Sequence, residues 1–292
     1  MFAAPLVQQL TGGRLHLSHG PIDVVLKAWG APGELRAAYD AAAARFASIL
    51  PELCDELPQL RTPISKTPKV DGAVARRMVV ACRPFADVFI TPMAAVAGAV
   101  ADDLMAHMLE AAHLSRAFVN DGGDIAVHVA PGESLEIGIA GAFSSDELPL
   151  LNGQLRLESH MGVGGIATSG AKGRSFSLGI ADSVTVLAPC AAVADAAATL
   201  VANGVDVAVP SIERRRARDL DPDSDLGDLL VTTHVGPLSA AEIARALNAG
   251  LLCARRFVEA GHIAGAALML RGETRTVGAV STARPSLQIA NT

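Results

Sequence analysis

The chain has 292 residues, half of them apolar and only 3% aromatic, and its 24 Lys and Arg stand against 30 Asp and Glu for a formal charge of -6. A core long enough for one large domain must therefore be built from Ala, Val, Leu and Ile. The acidic balance and the scarcity of rings exclude a phosphate-backbone binder and an aromatic single-strand platform, so no nucleic-acid partner is expected. Cys54, Cys82, Cys190 and Cys253 form no CxxC pair and so offer neither a zinc pattern nor a disulfide framework. The opening MFAAPLVQQLTGGR has no basic region ahead of its apolar residues, and no stretch reaches the roughly 20 apolar residues of a membrane span. The expectation is a cytoplasmic protein with no membrane partner.

In chain order, Arg14 to Gly30 alternates on both sides of His19-Gly20-Pro21 and predicts a hairpin. Pro32 to Leu60 is rich in Ala and Leu at helical spacing and predicts a long helix interrupted or restarted near Pro51. Arg61 to Val70 has two prolines and no period, which predicts a loop; Gly72 to Cys82 predicts a short helix and Asp87 to Ile90 a short strand. Thr91 to Ala112 predicts a helix with Pro92 near its first turn, and its small residues around Gly98 would let a backbone or a ligand lie close. Leu135 to Gly141 and Gln154 to His160 alternate as strands, and Asp182 to Cys190 predicts a strand running into the helix Ala191 to Asp206.

The basic run Arg214 to Arg218 predicts a solvated loop or helix face, because an acidic linker follows it directly. After a strand from Leu229 to Val235, Ser239 and Glu242 spell a capping box for the next helix, and a last strand pair turns at Gly272. The tail from Ala279 is predicted to be loosely held. His107 and His113 lie six apart and share no helical face, and His128 stands alone, so none matches a metal spacing.

Three stretches carry the chemistry. In FVNDGGDIAVHV, Phe118 to Val129, two β-branched runs flank Asn-Asp-Gly-Gly; adjacent glycines make either an ordinary hairpin turn or a backbone that a ligand can approach closely. Gly162 to Gly179 is a second glycine-rich passage with Thr168, Ser169, Lys172 and Arg174, either a surface loop or a set of hydroxyls, amides and cations suited to a diphosphate. In the Ala-rich helix after it, Asp195 and Thr199 are four apart and share a face. They can supply two oxygens to Mg²⁺, or they can be a surface Asp and a Thr bonded back to the preceding turn.

ITPMAAVAGAVADD, FVNDGGDIAV, GGIATSG, SVTVLA and AVADAAATLVAN, in that order, resemble the ApbE-like superfamily, whose characterised members are FAD:protein FMN transferases, and more closely a short cytoplasmic branch of it. The likeness runs from about Phe89 to Asp206, with a looser match in the first hairpin and helix. NDGGDI is similar to the family's NxGGDI flavin-site motif, ATSG to its TSG loop and ADAAAT to its ADALAT metal motif. The resemblance implies an α+β fold: one ApbE-like domain over residues 1–292, built of two intertwined T-fold-like subdomains with antiparallel sheets packed on long helices. It implies FAD contacts at Asn120, Gly122, Gly123, Asp124, Thr168 and Ser169, and a Mg²⁺ held by Asp195, Thr199 and the backbone carbonyl of Ala97. Asp195 is the expected catalytic residue, either in the reaction itself or as ligand of the metal only.

The chain departs from the family pattern where the AKG lysine falls on Gly98, and where GRSFSLGIAD replaces an HIIDPxTG stretch and its histidine. The expected activity is a Mg-dependent FMN transfer to a protein acceptor or hydrolysis of FAD. The alternatives are a flavin or heterocycle binder without turnover and, by fold analogy alone, a pterin or purine enzyme.

Overall fold

Alternation along the β-branched stretches produces a nine-stranded antiparallel sheet, and the Ala-rich segments supply the helices that cover one of its faces. The computed structural model describes residues 4–144, 147–173 and 175–279; Arg174 and the tail beyond residue 279 lie outside the described residues. The first three strands, β1 (Leu6–Leu10), β2 (Arg14–His19) and β3 (Ile22–Trp29), are followed by α1 (Pro32–Asp55), the short α2 (Leu57–Leu60), α3 (Ala73–Cys82) and α4 (Val96–Ala111). Then come β4 (Arg116–Asp121) and β5 (Asp124–Val129), with a separate hairpin of β6 (Ser134–Ser144) and β7 (Glu147–Glu158). The second half repeats the pattern: β8 (Gly165–Ser169), β9 (Ser183–Ala188), α5 (Ala191–Gly204), a side excursion, α7 (Ala240–Glu259), β12 (Gly265–Leu270) and β13 (Glu273–Gly278). The excursion holds β10 (Ile212–Arg216), α6 (Ala217–Leu220) and β11 (Leu230–Val235).

Strand order in the main sheet is β1-β2-β3-β4-β5-β8-β9-β12-β13. Two strand-strand-helices-strand-strand halves therefore lie side by side, joined where β5 meets β8. The fold is α+β with antiparallel sheets, as expected. Leu17, Leu26, Val119, Ala126, Ala167, Val184, Val186 and Leu268 alternate inward to meet Phe46, Leu104, Met108 and Leu247 of the helices in one continuous core. A smaller cluster, Val127, Leu135, Leu157, Ile166 and Leu187, occupies the other face under the β6–β7 hairpin. No helix among the described residues is long and apolar enough to cross a membrane.

Several local expectations fail for identifiable reasons. α1 runs unbroken through Pro51, because Leu50 and Leu53 on either side are buried and the packing outweighs one missing amide bond. Asp87 to Ile90 is no strand; a 3-10 turn at Arg83–Phe85 precedes it, the Val88 amide donates back to the Phe85 carbonyl, and the Ile90 carbonyl accepts from the Ile64 amide. The basic run is solvated as expected, but its first part, Arg214 to Arg216, is the end of β10, paired with β11, and only Arg218 lies on a helix, α6; Arg214, Arg216 and Arg218 pair with Asp206 and Asp228. The β1–β2 hairpin around Gly12 and Gly13 was not anticipated from the sequence. The capping box at Ser239 and Glu242 is formed as expected.

Candidate functional site

Asp121 and Asp124 face one another on the last rung of the β4–β5 pair, which leaves Gly122 and Gly123 as a two-residue turn with φ of 65° and 115°. Such values are open to glycine at little cost and to few other residues. The Asn120 side-chain oxygen accepts from the Gly123 amide at 2.8 Å and fixes the turn from one side. A Cβ built on Gly123 would meet nothing within 4 Å, so the other side is open to an approaching group.

The seam between the two halves is short. β5 pairs with β8 at Ile125↔Ile166 and Ala126↔Gly165, and the Val127 amide donates to the Gly164 carbonyl. Beyond that, Ala167, Thr168 and Ser169 remain laddered to β9 but not to β5. Continuing the β5–β8 register sets Gly123 opposite Thr168 and Gly122 opposite Ser169. Two motifs distant in sequence thus come to the same end of the β5–β8 seam, past its last paired rung.

Strand alternation then divides the predicted residues between two faces. Asp121, Asp124 and Ser169 follow Val119, Ala126 and Ala167 toward the helices. Asn120 and Thr168 follow Phe118 and Ile166 to the opposite face, where Thr168 Oγ1 meets Thr185 Oγ1 at 2.9 Å. This end of the seam therefore carries polar groups on both faces of the sheet.

Below it, α4 and α5 cross at their N-terminal ends. Gly98 permits the crossing, since a Cβ there would lie 2.3 Å from the Ala191 carbonyl oxygen. Each helix lends a carboxylate to the other's unsatisfied first turn. The Gly98 amide of α4 donates to Asp195 Oδ2 at 3.1 Å, and the Ala191 and Ala192 amides of α5 donate to Asp102 at 2.9 Å each. An Asp inside a run of alanines has its physical reason in this exchange.

The Asp195 side chain keeps some exposed surface, but its carboxyl is enclosed. Burial first, then the charge of Asp124, and further those of Asp121 and Asp102, push it well above the ordinary carboxylate range, against the pull of the Gly98 amide. Burial also raises Asp102, opposed by its two amide donors, and holds the Cys190 thiol up at about 11. Asp102 and Asp121 were not singled out from sequence; the DD pair in an Ala-rich helix and the second residue of NDGGD were the available signals.

The remaining candidates fall as follows. Thr199 lies one turn beyond Asp195 on the same face of α5 and is partly exposed. The Ala97 carbonyl belongs to the trans peptide whose Gly98 N–H points at Asp195, so it is directed away along α4. Lys172 is paired with Asp182 at 3.2 Å. The glycines of the second passage serve mainly close packing: Cβ atoms on Gly164, Gly165 and Gly179 would come within 2.3 Å of the backbone of Pro189, Ala191 and Ala202. Two open concavities of about 550 and 500 Å³ lie elsewhere, beside Arg83 and Arg256 and beside His234 and Arg271. No three His, Cys, Asp or Glu side chains among the described residues converge in a metal-binding geometry.

The sequence matches the family described as AbpE bacteria over residues 7–276. The chain belongs to that family. AbpE-family membership accords with the three ordered motifs and with the repeated half-sheets. Among relatives, the UPF0280 protein of Methanopyrus kandleri is 39% identical over 164 residues, which cover 55% of this chain and 61% of that one. A UPF0280 protein of Methanothrix thermoacetophila is 38% identical over 139 residues, covering 47% and 54%. The chain thus spans less than two thirds of the length of these relatives. The crystal structure of an ApbE protein from Thermotoga maritima superimposes with a TM-score of 0.51 at 14% identity, covering 94% of this chain and 96% of that one, a likeness of fold.

Proposed function

We propose that the protein binds a flavin nucleotide, FAD, between the Gly122–Gly123 turn and the end of β8. There, with Mg²⁺, it acts on the diphosphate, passing FMN to a hydroxyl of a protein acceptor or hydrolysing FAD to FMN and AMP. What supports this reading is the β5–β8 register, which, extended past its last paired rung, brings Gly122 and Gly123 level with Ser169 and Thr168, together with Asp195 capping α4 on the helix layer. Asn120 holds the turn so that Gly123 keeps its open face to the ligand, and the Ser169 hydroxyl is available to orient a phosphate on the helix side.

The donor set suits a hard divalent cation. Asp195 and Thr199 offer only oxygen, and the neighbouring Asp124 and Asp121 charges that disfavour ionised Asp195 are what such a cation relieves. The buried Cys82 thiol and the half-buried Cys190 thiol are held protonated and do not compete. When bound, the cation would neutralise charge on the leaving phosphate.

A second reading, a flavin binder without turnover, is favoured by one contact: Asp195 already caps α4 through Gly98, which is sufficient reason for its presence. Incubation of the pure protein with FAD and Mg²⁺ separates the two. Release of AMP, lost in Asp195→Ala, supports the enzyme. No AMP with any divalent metal or acceptor peptide, but a visible flavin spectrum that survives Asp195→Ala, supports the binder. A protein that takes up no flavin under either condition defeats both.

A further inference from the structure

The main sheet ends on two very different edges. At one end β13 carries Glu273 and Arg275, paired at 3.2 Å, and turns away at Gly278 with φ of 73°. Charges and a kink are the usual guards against strand addition. At the other end β1 reads Leu-Val-Gln-Gln-Leu, with no charge, no proline and a regular register to β2. Its Leu6 and Val7 are 53% and 48% exposed. By that register Val7 and Gln9 lie on the face of the buried Leu17 and Leu15, while Leu6, Gln8 and Leu10 lie on the opposite face. One edge of the β1 backbone is laddered to β2, and among the described residues no strand of the main sheet pairs with the other.

We infer that β1 pairs antiparallel with β1 of a second copy of this chain about a two-fold axis at Gln8. An exposed backbone edge is complementary to another strand, and this one is complementary to itself: Leu6 then faces Leu10 of the other copy twice on one side of the sheet, and Val7 faces Gln9 twice on the other. The neutral strand brings no like charges together. Pairing of β1 with β13 would instead build an open head-to-tail filament, which the Glu273–Arg275 pair and the Gly278 turn disfavour. A contact centred on five residues per copy is smaller than the roughly 20–30 residues a side of a stable interface, so the dimer is a weak one that dissociates on dilution.

Sedimentation of the full chain over a concentration series tests this inference. The mass should rise toward twice that of one chain, the double variant Leu6→Lys with Val7→Lys should sediment as one chain throughout, and Glu273→Lys should leave the dimer intact. Gln8→Cys, under oxidation, should form a covalent dimer and reports on the register even if the lysine variant folds poorly. A wild-type chain that stays single up to its solubility limit, a Gln8→Cys chain that does not cross-link, or a dimer broken by Glu273→Lys overturns the inference.

Discussion

Asp195 is where two demands meet on a single side chain. Its carboxylate accepts from the Gly98 amide, and the same group is crowded by Asp124, Asp121 and Asp102. The sequence singles it out by its four-residue spacing from Thr199 on one helix face, but the carboxylates around it come from other elements and no spacing announces them. Its pKa is raised on folding, so the folded state holds the proton more tightly than the unfolded chain. Its contribution to stability therefore declines as pH rises from the ordinary carboxylate value through the raised one, and stays low above it. In metal-free buffer, Asp195→Asn keeps an acceptor for Gly98 and removes the charge. Its melting temperature should exceed that of the wild type by a few degrees at neutral pH, with the gap closing as the pH is lowered. Mg²⁺ should raise the melting temperature of the wild type and leave the Asn variant unmoved. Identical responses of the two proteins to the metal would remove Asp195 from the cation site.

At the scale of elements, what sequence could supply was the identity of each segment and some of its ends. The Ser239–Glu242 box declares the start of α7 because the signal is local and the exposed turn has few other partners. Pro51 misled because the burial of Leu50 and Leu53 is a tertiary effect, and β10 misled because the arginines running from it into α6 are paired with Asp206 and Asp228, one on each side of the run in the chain. The small residues around Gly98 predict a place for close approach; the structure adds that the approaching group is the first turn of α5. Gly98→Ala drives a methyl against backbone that cannot move independently, and should cost about 1–3 kcal/mol. Urea unfolding checks it: the midpoint should fall with an unchanged slope, whereas an unchanged midpoint would mean that α4 and α5 can separate freely.

Across the whole molecule, the candidate site lies at the seam between the two half-sheets, where β5 and β8 pair for a few residues and then part. Motif order along the chain could be read from the sequence, but the register that sets Gly122 and Gly123 against Ser169 and Thr168 could not, because a one-residue slip would exchange every face. That register makes Ser169 and Thr168 unequal. Ser169 follows Ala167 to the face of the sheet that the helices cover, while Thr168 is already engaged with Thr185 on the far side. If the FAD diphosphate enters on the helix side, Ser169→Ala removes a hydroxyl that no protein group replaces, and FAD affinity should fall about tenfold, roughly 1.4 kcal/mol. Thr168→Val should leave the affinity within about twofold and instead lower the melting temperature slightly, through loss of one cross-strand hydrogen bond. Titration of both variants with FAD, followed by the change in flavin fluorescence, distinguishes the sides: the reverse ranking would put the diphosphate on the face of Asn120 and Thr168, away from Asp195, and would separate flavin binding from any chemistry at that carboxylate.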